Sequence, residues 1–369
     1  MAGGMDILNV VWSGGPAFSS IHMVHRSILG FSAADSRIAT LVLAEGDAGV
    51  LAEVGDVTAL GLASRRLKGK GRYACCRYFD RRALAKRIER MQPRFLILDG
   101  MGVAGYLLPF LHGLAGTQVI VVFHGSKTFK PAEAAMLRNY SSELLTLVAV
   151  SQTLANEVQG QIGRHVHNGR LALDPDGLRG SLESCATARR VLGLPEQVGR
   201  VIGAIGRLVP EKGFALLLEA GALWLREHPD DCLVIVGEGD EHARLLALAR
   251  ELGISGQVHL VGHHPQASRL LLAFDLVCLP SEQEGFGLVL SEAVIAGVPV
   301  LASDLAVFRE QLPGDVPLLP VAQPMVWSKA IDKALRGDLS ALAASQYQQL
   351  SPEVSWERFS QFYRHLLAG

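Results

Sequence analysis

Apolar residues along this chain gather in short blocks separated by longer stretches of helical period. ILNVVW, FLIL, QVIVVF and LTLVAV in the first half, and VIGAI, CLVIV and LVCL in the second, are apolar on both faces. Blocks of that kind read as strands of a parallel sheet covered on both sides. The pattern predicts strands over 6–12, 38–44, 94–98, 118–123 and 145–150, with helices over 19–29, 81–91 and 152–159. A second series predicts strands over 201–205, 232–236, 257–260, 276–279 and 298–302. Its helices fall over 214–227, 241–252 and 288–296. Strand and helix alternate throughout, which implies an α/β fold with parallel sheets. Residues 173–199 are rich in turn formers (DPDG, LGLPEQVG) around one modest helix, so they are expected to link a domain over 1–172 to another over 200–351.

Composition adds bounds. With 369 residues and 49% hydrophobic content, the chain can bury two cores. Its apolar runs are shorter than the ~18 residues of a membrane span. Nothing near Met1 resembles a signal peptide, so a cytoplasmic protein is expected. Five cysteines, odd in number and without zinc spacing, are expected to be reduced. The net charge of −1 hides a contrast. Between Arg65 and Arg90 there are eleven Lys/Arg and two acidic residues, 11 − 2 = +9, leaving −10 for the remainder. Such a patch is either a solvated helix face or a surface for an anionic partner, a phosphorylated glycan or an anionic membrane. No aromatic platform accompanies it, so nucleic acid is not expected.

Candidate chemistry sits in the turns that follow strands, where open α/β sheets bind ligands. After 276–279 comes SEQEGFG. Gly285, Phe286 and Gly287 lead into a helix at Leu288, whose N–H groups can face an anion. That helix is apolar almost all round yet carries Glu292, a carboxylate that needs a partner if buried. After 201–205, Gly206-Arg207-Leu208-Val209-Pro210-Glu211-Lys212-Gly213 brings a planar fork and a mobile point charge to the same edge. Gly237-Glu238-Gly239 and Gly262-His263 end two further strands. In the first half, Gly14-Gly15 follows the first strand, and His124 closes QVIVVF. The literal Asp-x-Asp at Asp174 and Asp176 lies in a Pro/Gly turn, and the histidine pairs lack ligand spacing, so no metal is expected. No Gly-x-Ser-x-Gly elbow is present.

Glu284 and Glu292, eight residues apart within EGFGLVLSEAVIAGVPVLASD, together with GRLVPEKG, VGEGD and VVFHG in that family's order, resemble the retaining family 4 glycosyltransferases. The resemblance implies the GT-B architecture: two Rossmann-like parallel-sheet domains facing a central cleft, with a C-terminal helix (352–369) returning to the first. It implies that Arg207 and Lys212 clamp the donor diphosphate, and that Glu284 and the following amides hold the donor sugar. Glu292 would hold the ribose, Gly237 and Glu238 would lie near the nucleotide, and backbone near His263 would meet the base. His124 would contact the donor sugar, and Gly14 and Gly15 would let backbone approach the diphosphate and acceptor. The implied activity is metal-independent transfer of a hexose, with the donor base and sugar left open and UDP-glucose placed before ADP-heptose or GDP-mannose. The acceptor would be a lipopolysaccharide core or another cell-surface polysaccharide, met at the inner membrane face through the basic segment. A catalytically silent glycan-binding paralogue and a nucleotide-sugar 2-epimerase are the alternatives.

Overall fold

The computed structural model describes residues 5–14, 19–46, 49–69, 73–114, 116–314 and 318–368. Gly15, Lys70 and Arg72 lie outside them. The chain divides into two compact units, residues 1–171 with 358–369, and residues 172–357.

The first unit is a seven-stranded parallel sheet in the order β3-β2-β1-β4-β5-β6-β7. Its strands are β1 (Ile7–Val11), β2 (Ile38–Val42), β3 (Asp56–Ala59), β4 (Phe95–Asp99), β5 (Gln118–Phe123), β6 (Leu145–Ala149) and β7 (His167–Asn168). The apolar blocks became strands because helices cover both sheet faces; β1 and β4 are buried at every position. β3 was not expected. It is an exposed edge strand, polar enough to carry no apolar block. The first basic stretch forms the helix Ser64–Lys68, and the next forms one longer helix, Tyr73–Met91, than the expected 81–91.

The second unit has five parallel strands in the order β10-β9-β8-β11-β12. They are β8 (Val201–Ile205), β9 (Cys232–Val236), β10 (Val258–Leu260), β11 (Leu276–Leu279) and β12 (Val300–Ala302). Side chains alternate between two cores with the two-residue period of a strand. Cys232, Val234, Val236, Val277 and Leu279 face one core, and Leu233, Ile235, Leu276 and Cys278 the other. Each fully buried Leu or Val contributes roughly 1.5–3 kcal/mol. In both sheets chain order reverses between the first and fourth strands, β1/β4 and β8/β11, and the carboxyl ends there open a crevice.

The expected linker needs correction. Residues 173–199 hold two helices, Pro175–Ser181 and Cys185–Val191, capped by Asp174 and Ser184. Ala188, Leu192 and Leu194 join a core of the second unit, and Arg189 bonds the Ala273 carbonyl (3.1 Å) and Asp275 (2.9 Å). A seven-residue helix is too short to display its period, and its glycines and capping residues read as turns. Asp174 is thereby explained as a helix cap, its Oδ1 accepting from Asp176 N–H at 3.2 Å.

The last helix, Pro352–Ala368, begins in the second unit, and its residues from 358 onward count with the first. Phe359 and Tyr363 are buried there, Phe359 packing on Phe31, and Arg94 bonds the carbonyl of Ala368. All five cysteines are free. Among the described residues no helix is long and apolar enough to cross a membrane.

Candidate functional site

In the second unit three turns are tied together at the carboxyl ends of β8, β9 and β10. Gly206 N–H donates to Val236 O (3.0 Å), Leu208 N–H to Glu238 O (2.8 Å) and Gly237 N–H to Gly262 O (2.8 Å). The approach is so close that a Cβ at Gly237 would stand 1.8 Å from the Gly206 oxygen, so no larger residue fits. Glu238 Oε1 in turn accepts from His263 N–H at 3.3 Å.

The turn after β11 joins the same edge. Glu282 N–H donates to Glu211 O (2.8 Å), and a Cβ at Gly213 would lie 2.1 Å from the Pro280 oxygen. These constraints bring Lys212 to Glu284, Nζ to Oε1 at 2.5 Å, and Ser281 Oγ adds a 2.9 Å bond to the same oxygen. Arg207 is exposed and makes no side-chain hydrogen bond or ion pair among the described residues. One cation is thus held by a carboxylate and the other is free.

Gly287 caps the helix Leu288–Ile295 with φ 78°, and a Cβ there would strike Phe308 at 2.3 Å. Gly285 and Leu288 are half-buried beside it, and Phe286 is buried. Glu292 lies one turn into the helix at intermediate exposure. Burial lifts its carboxyl from the usual range to about 7, and no side chain pairs with it among the described residues. Its neighbour Ser291, which a solvent-facing polar strip would expose, is instead buried and donates to Gln311 Oε1 at 2.6 Å. Gln311 Nε2 donates to the Phe286 carbonyl at 2.5 Å. Gln311 therefore holds the glycine loop in place, a role that one amide within VFREQL does not announce.

A cavity of about 300 Å³ lies beside the Val209–Gly213 turn, lined among others by Phe214, Glu219, Glu241 and Arg244. None of the candidate residues lines it.

In the first unit Gly14 is buried, its N–H reaching Glu45 O at 3.4 Å. His124 follows β5 and is mostly buried. Its Nε2 stands 3.0 Å from His25 Nε2 and 3.7 Å from Asp99 Oδ1. His25 Nδ1 lies 2.7 Å from Asn9 Oδ1, and Asn9 Nδ2 donates to Thr40 Oγ1 at 3.2 Å. Trp12 N–H donates to Asp99 Oδ2 at 3.2 Å. Burial lowers His124 to about 4; burial and then His124 hold His25 well below the usual imidazole value; burial lifts Asp99 to about 6. Both rings are therefore neutral at pH 7. The ligand atoms of His25, Asp99 and His124 lie within 4.8 Å of one another, the one grouping among the described residues able to hold a cation. Sequence reasoning singled out only His124. Asn9, His25 and Asp99 sit on β1, the helix Ser19–Leu29 and β4, and no spacing links them.

Residues 187–350 match the family described as glycosyl transferases group 1. The D-inositol 3-phosphate glycosyltransferase of Corynebacterium urealyticum is 32% identical over 228 residues, 57% of this chain and 54% of that one. The phosphatidyl-myo-inositol mannosyltransferase of Mycobacterium tuberculosis is 39% identical over 168 residues, 44% and 43% of the two. The chain thus spans about half the length of the curated relatives it matches. Two solved structures share the fold from end to end. A glycosyltransferase from Rickettsia africae has a TM-score of 0.75 at 16% identity, covering 99% of both chains. Anabaena Alr3699/HepE in complex with UDP has 0.74 at 20% identity, covering 99% of this chain and 98% of that one. The chain has the two-unit GT-B fold of these solved structures, and its residues 187–350 are similar to the group 1 glycosyl transferases.

Proposed function

We infer that the protein is a retaining glycosyltransferase that moves a hexose from a nucleotide-diphosphate sugar to a hydroxyl of an anionic glycan or polyol, without a metal ion. The observation that carries this is the β8–β11 edge. The free Arg207, the Lys212–Glu284 pair and the N-terminus of Leu288–Ile295 lie on turns locked together by backbone bonds. Breaking the anomeric bond puts negative charge on the leaving diphosphate. Donors fixed in place beforehand stabilise that charge, each worth roughly 3–4 kcal/mol. Lys212 would move from Glu284 to a phosphate oxygen, and Glu284, so released, would accept from sugar hydroxyls. The carboxyl of Glu292 suits the ribose diol, and Glu238 and His263 lie near the nucleotide. In the first unit, Gly14, Gly15 and His124 belong to the sugar and acceptor side.

UDP-glucose remains the preferred donor, supported by the complex of a fold neighbour with UDP. The acceptor reading draws on the helix Tyr73–Met91, which exposes Arg82, Lys86, Arg87 and Arg90 beside Tyr78 and Phe79. The exposed Tyr78 and Phe79 correct the expectation that no aromatic accompanies the basic segment, and cations next to exposed aromatics suit a phosphorylated or lipid-linked acceptor at an anionic membrane face. A lipopolysaccharide core has that character, and so do the phosphorylated inositols in the names of the two relatives. Part of the +9 is spent internally: Arg66 pairs with Asp80, and Arg81 bonds the carbonyls of Gly105 and Tyr106.

The test is thermal melting with UDP, GDP, ADP and CDP, each with and without EDTA. A diphosphate at 100 times its Kd stabilises by about 2.7 kcal/mol. A shift with one diphosphate, unchanged by EDTA, supports the metal-free clamp. Absence of any shift removes it.

A further inference from the structure

The buried string Thr40–Asn9–His25–His124 joins β2, β1, the helix Ser19–Leu29 and the turn after β5. Its members are fully or mostly buried, so their hydrogen bonds cannot be exchanged for water, and each proton must have one place. Two patterns satisfy the distances. In one, His25 Nδ1–H donates to Asn9 Oδ1, leaving His25 Nε2 a lone pair that accepts from His124 Nε2–H. In the other, the Asn9 amide is turned over and every bond reverses. Asp99 decides between them. Its Oδ1 faces His124 Nε2 at 3.7 Å, so a proton on that nitrogen is attracted to the carboxylate, whereas a lone pair there would be repelled.

We propose that His25 is a positioning residue that, with Asn9 and Asp99, fixes His124 as its Nε2–H tautomer and leaves Nδ1 as the acceptor for a substrate hydroxyl. His124 Nδ1 has no partner among the described residues, although the ring's other nitrogen is engaged. The inward side of the ring is taken, so any sugar or acceptor hydroxyl meets a lone pair and donates to it. This proposal rests on the reading that His124 belongs to the substrate site.

Long-range ¹H–¹⁵N spectra of the histidine side chains, recorded on the full wild-type chain, read the tautomers directly. The expected pattern is a protonated Nε2 and a bare Nδ1 for His124, with the reverse for His25. A His124 protonated on Nδ1 overturns the proposal, and this readout needs no variant to fold. In kinetics, His25→Phe should lower kcat about 10- to 100-fold with little change in donor KM, the cost of a misplaced group. Asn9→Asp, whose carboxylate still accepts from His25 Nδ1–H, should keep a larger share of kcat than Asn9→Leu. Equal losses in those two would reduce His25 to a packing residue and overturn the proposal. So would one equivalent of Zn²⁺ retained by the wild type and lost in His25→Phe, since both Nε2 atoms would then be ligands. His124→Ala separates the two layers: undiminished activity sinks the underlying site reading, whatever tautomer the spectra show.

Discussion

The two units carry their polar groups in opposite ways. In the second, the candidate residues stand on glycine turns at the sheet edge, with Arg207 exposed and without a hydrogen bond or ion pair among the described residues, and Lys212 engaged by one carboxylate. In the first, Asn9, His25, Asp99 and His124 are buried or nearly so and bond one another. A cation held at the surface by rigid backbone suits a ligand that brings its own charge, because desolvation is completed only on binding. Buried groups that bond one another, two neutral imidazoles beside one carboxylate, suit orientation. The second unit thus presents charge at its sheet edge, and the first keeps its polar groups in fixed mutual bonds.

The sharpest way to break this comparison is to remove the charge. Arg207→Ala and Lys212→Ala should each lower kcat about 10²- to 10³-fold, by the worth of one preorganised donor. Steady-state rates below tenfold loss in both would end the clamp assignment. Arg207→Ala should leave the melting temperature unchanged, since its side chain is exposed and makes no hydrogen bond or ion pair among the described residues. The backbone scaffold comes next. Gly237→Ala drives a Cβ into the Gly206 carbonyl and should cost about 1–3 kcal/mol in urea unfolding, the range of overpacked sites.

Glu292 gives a pH signature. Its pKa is raised from the usual 4.5 to about 7 in the folded chain, so the folded state binds the proton more tightly. The stability this contributes is complete below pH 4.5 and lost as pH rises through about 7. Glu292→Gln, which stays neutral, should match the wild type at pH 4 and melt higher at pH 8. Equal melting temperatures at both pH values would place the carboxyl in solvent. The smallest effect belongs to the basic helix. Arg82, Lys86, Arg87 and Arg90 changed together to Glu should raise acceptor KM several-fold, more at low salt, and spare donor KM. No change in either would leave a solvated surface.

Much of the framework was readable because buried parallel strands leave uninterrupted apolar blocks. Val201–Ile205, Gln118–Phe123 and Phe214–Glu227 fall at their expected bounds. β3 and the capped helices of 173–199 escaped because short or exposed elements have no room for a period. The charged turns were readable too, since Gly206–Gly213 and Glu284–Glu292 are each local in sequence. The buried string was not. Asn9 and His25 are 16 residues apart and His25 and His124 are 99, brought together by sheet order and helix packing.

The last helix carries one further consequence. Phe359, Tyr363 and Leu367 complete the interior of the first unit, so that unit is assembled from both ends of the sequence with the other inserted between them. On the ribosome its opening strands emerge first but lack these side chains until the intervening unit has been made. At about 5–20 residues per second that is a delay of about ten seconds or more. Throughout that interval an unfinished apolar surface is open to chaperones and to aggregation, while the inserted unit can already fold.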